Sequence, residues 1–148
     1  MVEESRTIEV NVDPKKFFKV VTDYQSYPEF LNGQGLRRIT INKDEGDIKI
    51  VTQEVELMGF KVAYTLRMVE DKARQQVSWS LVKGQLMSRN NGSWKIEKLG
   101  PGRSRVTYSL ELKLGMLIPS IVTTKIAATQ LPAMLNAFKR RAESLGKK

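Results

Sequence analysis

Neither cysteine nor histidine occurs among the 148 residues of this chain. Without cysteine there is no disulfide and no thiolate nucleophile, and a reducing cytoplasm is the expected location. Without histidine, a Ser-His-Asp or Cys-His catalytic system is impossible and the commonest metal ligand is missing. A metal site would need oxygen ligands alone, and the carboxylates lack the spacing of a calcium-binding loop. Carboxylate or tyrosine chemistry stays open, and neither a metal nor a cofactor is expected.

The sequence also lacks segments that would place it in a membrane or divide it. Residues 1–6 are charged and have no apolar stretch, so a signal peptide is not expected. The longest apolar run, residues 114–119, is far shorter than the roughly 20 residues that span a bilayer. No Pro/Gly/Ser-rich linker and no repeat is present. Residues 1–148 are therefore predicted to form a single domain with an ordinary apolar core.

The chain carries a formal net charge of +9, which favours acidic partners such as RNA, anionic lipid headgroups or an acidic protein. The cations are densest at Lys139, Arg140 and Arg141 and again at Lys147 and Lys148. Cations also complement the dipole at the C-terminus of a helix, so the cluster has a purely structural interpretation too. There is no interleaving of aromatic and basic residues of the kind that RNA-binding platforms use, and DNA is not expected as a partner.

The first third of the chain predicts one strand and two short helices. Residues 5–12 alternate between apolar and polar side chains, which is typical of a half-buried strand. Asp13 followed by Pro14 predicts an N-cap and the first position of a helix that ends near Asp23. Residues 24–31 predict a second short helix or turn.

Residues 35–114 predict an antiparallel meander of about six strands, because short turns separate successive alternating segments. The N-terminal strand is expected to join this sheet. Asn90, Asn91 and Gly92 are expected to interrupt the strand that continues through Trp94 and Ile96.

Residues 119–145 predict a long helix with one continuous apolar face. That face comprises Leu117, Ile121, Thr124, Ala128, Leu131, Leu135, Phe138, Ala142 and Leu145. Pro132 lies inside the helix, where it cannot donate to the carbonyl of Ala128. Either the helix kinks there or neighbouring packing tolerates the proline.

Three segments together resemble a known superfamily. They are residues 18–31 (FKVVTDYQSYPEFL), residues 91–96 (NGSWKI) with Thr107 and Tyr108, and Leu131-Pro132 with residues 139–143 (KRRAE). In this order they resemble the START-like, or SRPBCC, superfamily, and within it the polyketide cyclase/dehydrase and coenzyme-Q-binding (lipid transport) branch. The resemblance covers nearly the whole chain.

This resemblance implies an α+β helix-grip fold, in which a curved antiparallel sheet of six to seven strands wraps around the C-terminal helix. Two short helices would follow the first strand, and a cavity would lie between sheet and helix. Members typically bind lipids, polyketides, quinones or other apolar molecules; some are cyclases or aromatases, and others have been linked to ribosomes or respiratory chains. Fold alone does not choose among these functions.

With this fold, one face of the strands and the apolar face of the helix line the pocket. The expected lining is Tyr64, Leu66, Met68, Trp79, Leu81, Trp94, Ile96, Tyr108 and Leu110 from strands, and Ile121, Leu131 and Leu135 from the helix. The same alternating residues could instead fill a solid core. Glu54, Glu56 and Arg67 are expected on the opposite, solvated face of the sheet.

The sequence supports three hypotheses about function. The first is a binding or carrier protein for an apolar small molecule that is lipid-like, an isoprenoid quinone or polyketide-like. The second is a polyketide cyclase/aromatase-type enzyme, which would need acid/base groups such as Glu54, Arg67 or a tyrosine inside the pocket. The third is an interaction protein that contacts a ribosome, RNA, an anionic membrane surface or acidic proteins through its basic surface. No catalytic residue can be assigned.

Overall fold

A computed structural model describes residues 1–146 of the chain. Strand β1 (Val2–Val10) is followed by helix α1 (Pro14–Thr22), a 3₁₀ turn (Tyr24–Ser26), helix α2 (Tyr27–Leu31) and a second 3₁₀ turn (Asn32–Gln34). Six strands come next: β2 (Leu36–Asp44), β3 (Ile48–Leu57), β4 (Phe60–Asp71), β5 (Gln76–Gly84), β6 (Met87–Gly100) and β7 (Arg103–Leu114). Helix α3 (Ser120–Lys125), a π-helical turn (Ile126–Gln130) and helix α4 (Leu131–Gly146) complete the described chain. The predicted α+β architecture is confirmed.

The strands form one seven-stranded antiparallel sheet in the order β1-β7-β6-β5-β4-β3-β2. The meander predicted for β2 to β7 is therefore present, and β1 joins it by pairing with β7. The segment with the two short helices connects one edge strand, β1, to the other edge strand, β2. Register shifts interrupt several pairings, for instance between Thr65 and Leu66. Such irregularities bend and twist strands, which lets the sheet curve around the helices.

The expected interruption of β6 at Asn90, Asn91 and Gly92 is wrong, because all three belong to one continuous strand. Gly92 lies opposite Trp79 in the sheet. A Cβ atom on Gly92 would overlap the Trp79 ring and the Ser109 carbonyl oxygen. The glycine therefore makes room for the Trp79 indole.

Helix α1 begins at Pro14 as predicted, but the Asp13 side chain does not cap it. The Asp13 carboxylate instead accepts a hydrogen bond from the Gly102 backbone N–H at 3.1 Å. This contact ties the start of the helix to the β6–β7 hairpin. The apolar face of α1, which includes Phe17 and Val21, is buried against the core.

A buried polar contact fixes the first 3₁₀ turn to the sheet. The Tyr24 hydroxyl donates to Glu70 of β4 at 2.8 Å. The same Glu70 carboxylate pairs with the Lys49 ammonium at 3.0 Å. Since a buried carboxylate needs partners to offset its lost hydration, this arrangement satisfies Glu70 and orients Tyr24.

The C-terminal helix departs from the predicted continuous α-helix. A widened π turn, Ile126–Gln130, separates α3 from α4 and ends two residues before Pro132. Pro132 has no N–H to donate to the carbonyl of Ala128, so the regular α-helical bond is missing at this point. Helix interruptions of this kind commonly occur at proline or at a π turn. The sequence left a kink at Pro132 and tolerance of the proline as alternatives, and the structure shows a change of helix type just upstream.

The π turn changes which side of α3 faces the sheet. An extra residue in a helix rotates the segment before it by roughly 100° relative to the segment after it. In α4 the predicted face is buried as far as Ala142, whereas upstream of the π turn Leu117 is 82% and Ile121 is 56% exposed. The buried residues of the whole region are Ile118, Val122, Ile126, Leu131, Leu135, Phe138 and Ala142. The predicted face was wrong by one residue in α3, and Leu145 at the far end is exposed as well.

The basic segment near the C-terminus is partly used for packing. The Arg141 guanidinium pairs with Glu29 at 3.1 Å and lies 5.4 Å from the centre of the Phe30 ring. Lys147 and Lys148, the rest of the predicted basic cluster, lie outside the described residues. Within residues 1–146, no helix combines the length and apolarity needed to cross a membrane.

Candidate ligand-binding cavity

A cavity of about 210 Å³ lies between the inner face of the sheet and the helices. We call its two sides the sheet wall, formed by inward side chains of β2 to β7, and the helical wall, formed by α2, Ile118, α3, the π turn and α4. The sheet wall contributes more of the lining residues, among them Tyr64, Leu66 and Met68 of β4. A smaller apolar cavity of about 150 Å³ is enough to bind benzene.

Most predicted lining residues of the sheet wall border this cavity. They are Tyr64, Leu66, Met68, Trp79, Trp94, Tyr108 and Leu110, and Leu131 joins them from the helical wall. Whether they contact a ligand stays a prediction.

Four predicted residues do not border the cavity. Ile96 and Leu135 are buried, but they pack within the solid part of the core. Leu81 lies beside Met87 near Gly84, and Met87 is the side chain that borders the cavity. Ile121 points to solvent because of the extra residue in the π turn.

Other lining residues were missed by the sequence prediction. Val62 and Leu112 continue the alternation that identified Tyr64 and Leu110, so the pattern already contained them. The upstream half of the helical wall, Ile118, Val122 and Ile126, could have been found only by placing the π turn. The polar lining residues are Gln34, Gln53, Asn90 and Gln130.

Aromatic rings close one end of the cavity. The Trp94 ring lies 4.7 Å from that of Tyr108 and 4.8 Å from that of Phe138, and the Phe138 ring lies 5.2 Å from that of Tyr27. All three pairs are edge-to-face, the geometry that aromatic quadrupoles prefer. Since Phe138 belongs to α4 and Trp94 to β6, this cluster joins the two walls.

The polar groups of the lining are uncharged. Among the described residues, no aspartate, glutamate, lysine or arginine borders the cavity. The Tyr64 hydroxyl donates to Gln53 Oε1 at 2.9 Å, and the Trp79 indole N–H donates to Asn90 Oδ1 at 3.1 Å. The Tyr27 hydroxyl donates to the Val21 carbonyl. Within residues 1–146, acidic side chains do not gather into a group that could hold a metal ion.

Burial raises the pKa of the Tyr64 and Tyr108 hydroxyls well above their ordinary value. Both phenols are therefore neutral at physiological pH and can donate hydrogen bonds.

The charged residues that the enzyme hypothesis needed inside the pocket lie outside it. Glu54 is exposed and faces Arg38 at 3.9 Å, and Arg67 is exposed on the outer face of β4. Glu56 is half-buried and lies 3.9 Å from Arg37. The prediction that these residues occupy the outer face is therefore confirmed, and tyrosines are the acid/base candidates that remain in the cavity.

Comparison with known proteins agrees with the resemblance seen in the sequence. The family model for polyketide cyclase / dehydrase and lipid transport matches residues 10–139. A START superfamily protein from Mycobacterium smegmatis superposes with a TM-score of 0.83 at 21% identity, over 97% of this chain and 98% of that one. The Zhui aromatase/cyclase from Streptomyces sp. R1128 superposes with a TM-score of 0.82 at 17% identity, over 96% and 93% of the two chains. At these identities the likeness shows the fold alone, and it confirms the predicted helix-grip fold.

Similarity also extends to a protein named for a different role. The ribosome association toxin RatA of Escherichia coli strain K12 is 25% identical over 145 residues, which is 98% of this chain and 89% of that protein.

Proposed function

The chain belongs to the polyketide cyclase / dehydrase and lipid transport family, and we propose that it is a binding or carrier protein for an apolar small molecule. The ligand, a lipid, an isoprenoid quinone or a polyketide-like compound, occupies the cavity between the sheet and the C-terminal helix. The observation that carries this proposal is a cavity of about 210 Å³ whose lining, within residues 1–146, is apolar apart from a few uncharged groups. Sites for small molecules typically combine an apolar lining with a few placed polar groups.

The size of the apolar surface sets the scale of the affinity. A ligand with the area of one aromatic side chain buries about 150–250 Å², which is worth roughly 4–6 kcal/mol at 25 cal/mol per Å². Loss of translational and rotational freedom on association offsets much of this gain. Tight binding therefore requires either a larger ligand that both walls enclose or additional hydrogen bonds from the lining.

Filling the cavity tests the proposal. Val62 borders the cavity, so Val62→Phe places a ring in the ligand's space, whereas Val82→Phe adds the same ring on the exposed outer side of the sheet. The purified protein is analysed by native mass spectrometry and solvent extraction for co-purifying apolar molecules. We expect a bound species in the wild type and in Val82→Phe, and its loss from a folded Val62→Phe variant. An empty wild-type protein that also binds no apolar probe would refute the proposal.

A second candidate function is docking on a ribosome or another acidic partner. Similarity to the ribosome association toxin RatA over nearly the whole chain supports it, as does the net charge of +9. Arg141 is engaged with Glu29, so among residues 139–141 the charge available at this helix end comes from Lys139 and Arg140.

Charge reversal tests the docking candidate. Ribosome co-sedimentation is measured for the variant with Lys139→Glu and Arg140→Glu. The control carries Lys95→Glu and Arg105→Glu on the outer face of the sheet, where both residues are exposed. Docking through the helix end predicts loss of co-sedimentation in the first variant only. Unchanged binding removes this surface from consideration.

A further inference from the structure

Asn90 lines the cavity and carries amide donors that are only weakly paired. It is 7% exposed, and its Oδ1 atom accepts from the Trp79 indole N–H. An indole nitrogen can only donate, so this contact fixes which end of the amide faces Trp79. The amide NH₂ group is thereby turned away from the indole. Its partner within residues 1–146 is the Met87 sulfur at 4.0 Å, a weak acceptor that also borders the cavity.

Tyr108 presents a further hydrogen-bond donor to the cavity. It is 6% exposed, with its ring 5.5 Å from that of Trp79 and 4.7 Å from that of Trp94. Tyr24, Tyr27 and Tyr64 each donate to an acceptor of the protein, whereas the Tyr108 hydroxyl has no such partner in residues 1–146.

The Tyr108 hydroxyl borders the cavity. Tyr108 lines the cavity, and its hydroxyl oxygen is not fully enclosed by protein atoms. The hydroxyl therefore faces accessible space. Burial raises the pKa of this hydroxyl, and the proximity of Tyr64 raises it further.

The hydrogen-bond donors of Asn90 and Tyr108 determine which polar groups a ligand of this apolar cavity needs. Since a buried donor without a partner is costly, the occupant should supply acceptor oxygens. Within residues 1–146 no lysine or arginine borders the cavity, so an ionised carboxylate or phosphate would be buried there without a counter-charge. A neutral acceptor avoids that cost, and a carbonyl oxygen is a good neutral acceptor that an otherwise apolar molecule can carry.

We propose, building on the binding function above, that the cavity selects an uncharged ligand whose carbonyl oxygens accept hydrogen bonds from the Tyr108 hydroxyl and the Asn90 amide. The aromatic rings of Trp79 and Trp94 contact the ligand's apolar body. The preferred class is thus a neutral, carbonyl-bearing ring compound, and fatty-acid anions are discriminated against.

Three probes of nearly equal shape test this selectivity. They are 2-acetylnaphthalene, 2-isopropenylnaphthalene, in which a methylene replaces the carbonyl oxygen, and 2-naphthoate, which is an anion at neutral pH. Binding to the full chain is measured by isothermal titration calorimetry. We expect the ketone to bind about five- to tenfold tighter than the alkene, the range of a single net hydrogen bond, and naphthoate to bind most weakly.

Removal of one hydroxyl locates the selectivity. Tyr108→Phe should reduce the preference for ketone over alkene towards one, while the affinity for the alkene stays close to that of the wild type. Tyr24→Phe is the matched control, because the Tyr24 hydroxyl donates to Glu70 outside the cavity lining. If Tyr108→Phe does not fold, Asn90→Met serves instead, since it removes both amide donors and leaves an uncharged thioether as a weak acceptor for the Trp79 N–H.

The possible results distinguish a failure of the ligand selectivity from a failure of the proposed binding function. If all three probes bind with equal affinity, or if Tyr108→Phe keeps the full ketone preference, the selectivity is overturned while binding of apolar molecules stands. Naphthoate that binds as tightly as the ketone would overturn the selection of uncharged ligands. If none of the probes binds to the folded protein, the binding function and the selectivity fail together.

Discussion

The sheet wall and the helical wall enclose the same cavity but are held in different ways. Every strand of the sheet wall is hydrogen-bonded along its length, so its side chains are fixed by the pairing register. The helical wall consists of two pieces on either side of the π turn. α4 is attached through the aromatic contacts of Phe138 and the pairing of Arg141 with Glu29. α3 has a single buried residue, Val122, so the sheet wall and α4 set the shape of the cavity and α3 is its weakest boundary.

Alkaline pH tests whether the two walls separate, and it has the largest expected effect. All four tyrosines of the chain are buried or half-buried, and burial raises the pKa of each. Below pH 10 their stabilising contribution is complete. Above it the unfolded chain loses phenolic protons that the folded chain keeps, so stability falls as pH rises. The slope is about 1.4 kcal/mol per pH unit for each tyrosine.

Tyrosinate absorbance and circular dichroism, followed together, check this. We expect both signals to change in one transition, because the tyrosines of the two walls ionise only on unfolding. Ionisation of part of the tyrosines while the sheet persists would show that the helical wall opens first.

Truncation of Phe138 breaks the attachment of α4. The ring is 2% exposed and contacts Tyr27, Phe30 and Trp94. Phe138→Ala should lower the free energy of unfolding by about 3–5 kcal/mol, measured by urea denaturation. Val122→Ala in α3 removes two carbon atoms from a buried site and should cost roughly 1.5 kcal/mol. Equal costs for the two variants would contradict the difference drawn between α3 and α4.

An added methyl group at Gly92 tests the rigidity of the sheet wall. Gly92→Ala forces the Trp79 ring or the β7 backbone to shift, and overpacking of this kind costs roughly 1–3 kcal/mol. We expect a lower urea midpoint and a changed tryptophan fluorescence spectrum. Gly100→Ala is the control, since no atom lies within 4 Å of the added Cβ there. A neutral Gly92→Ala would mean that the sheet wall yields easily.

Paired serine substitutions test the register of α3, with the smallest effects. Ile121→Ser should change the free energy of unfolding by no more than about 0.5 kcal/mol, because Ile121 already lies in solvent. Val122→Ser should cost at least about 1.5 kcal/mol, because Val122 is buried. Thermal denaturation of both proteins provides the comparison. The reverse order would restore the helix face predicted from the sequence.

The same contrast between walls explains how much could be predicted. Strand alternation has a fixed period of two, so the inward position of Tyr64, Trp94 and Tyr108 followed from the pattern alone. The helical face also followed in α4, as Leu131 shows. In α3 it failed at Ile121 because a π turn adds a residue, and no sequence rule places such a turn more closely than the proline that comes after it.

The hydrogen bonds inside the cavity could not be predicted from the sequence. Alternation states which side of the sheet a residue faces, but not what its polar atom meets. The sequence predicts a strand interruption at Asn90, but Asn90 lies within β6 and accepts a hydrogen bond from the Trp79 indole N–H. The sequence predicts an interruption at Gly92 as well, but the absence of a side chain there makes space for the Trp79 ring. The partners of both residues come from neighbouring strands, so only the assembled sheet reveals their roles.

The uneven exposure of the methionines has a consequence in oxidation chemistry. Met116, next to α3, is fully exposed, whereas Met68 on the sheet wall is buried. Peroxide converts a thioether to a sulfoxide at a rate that depends on access, so Met116 is oxidised at once and Met68 only when the cavity opens. The rate of sulfoxide formation at Met68 therefore reports how often the cavity admits a small polar molecule, and the prompt modification of Met116 provides an internal reference in the same chain.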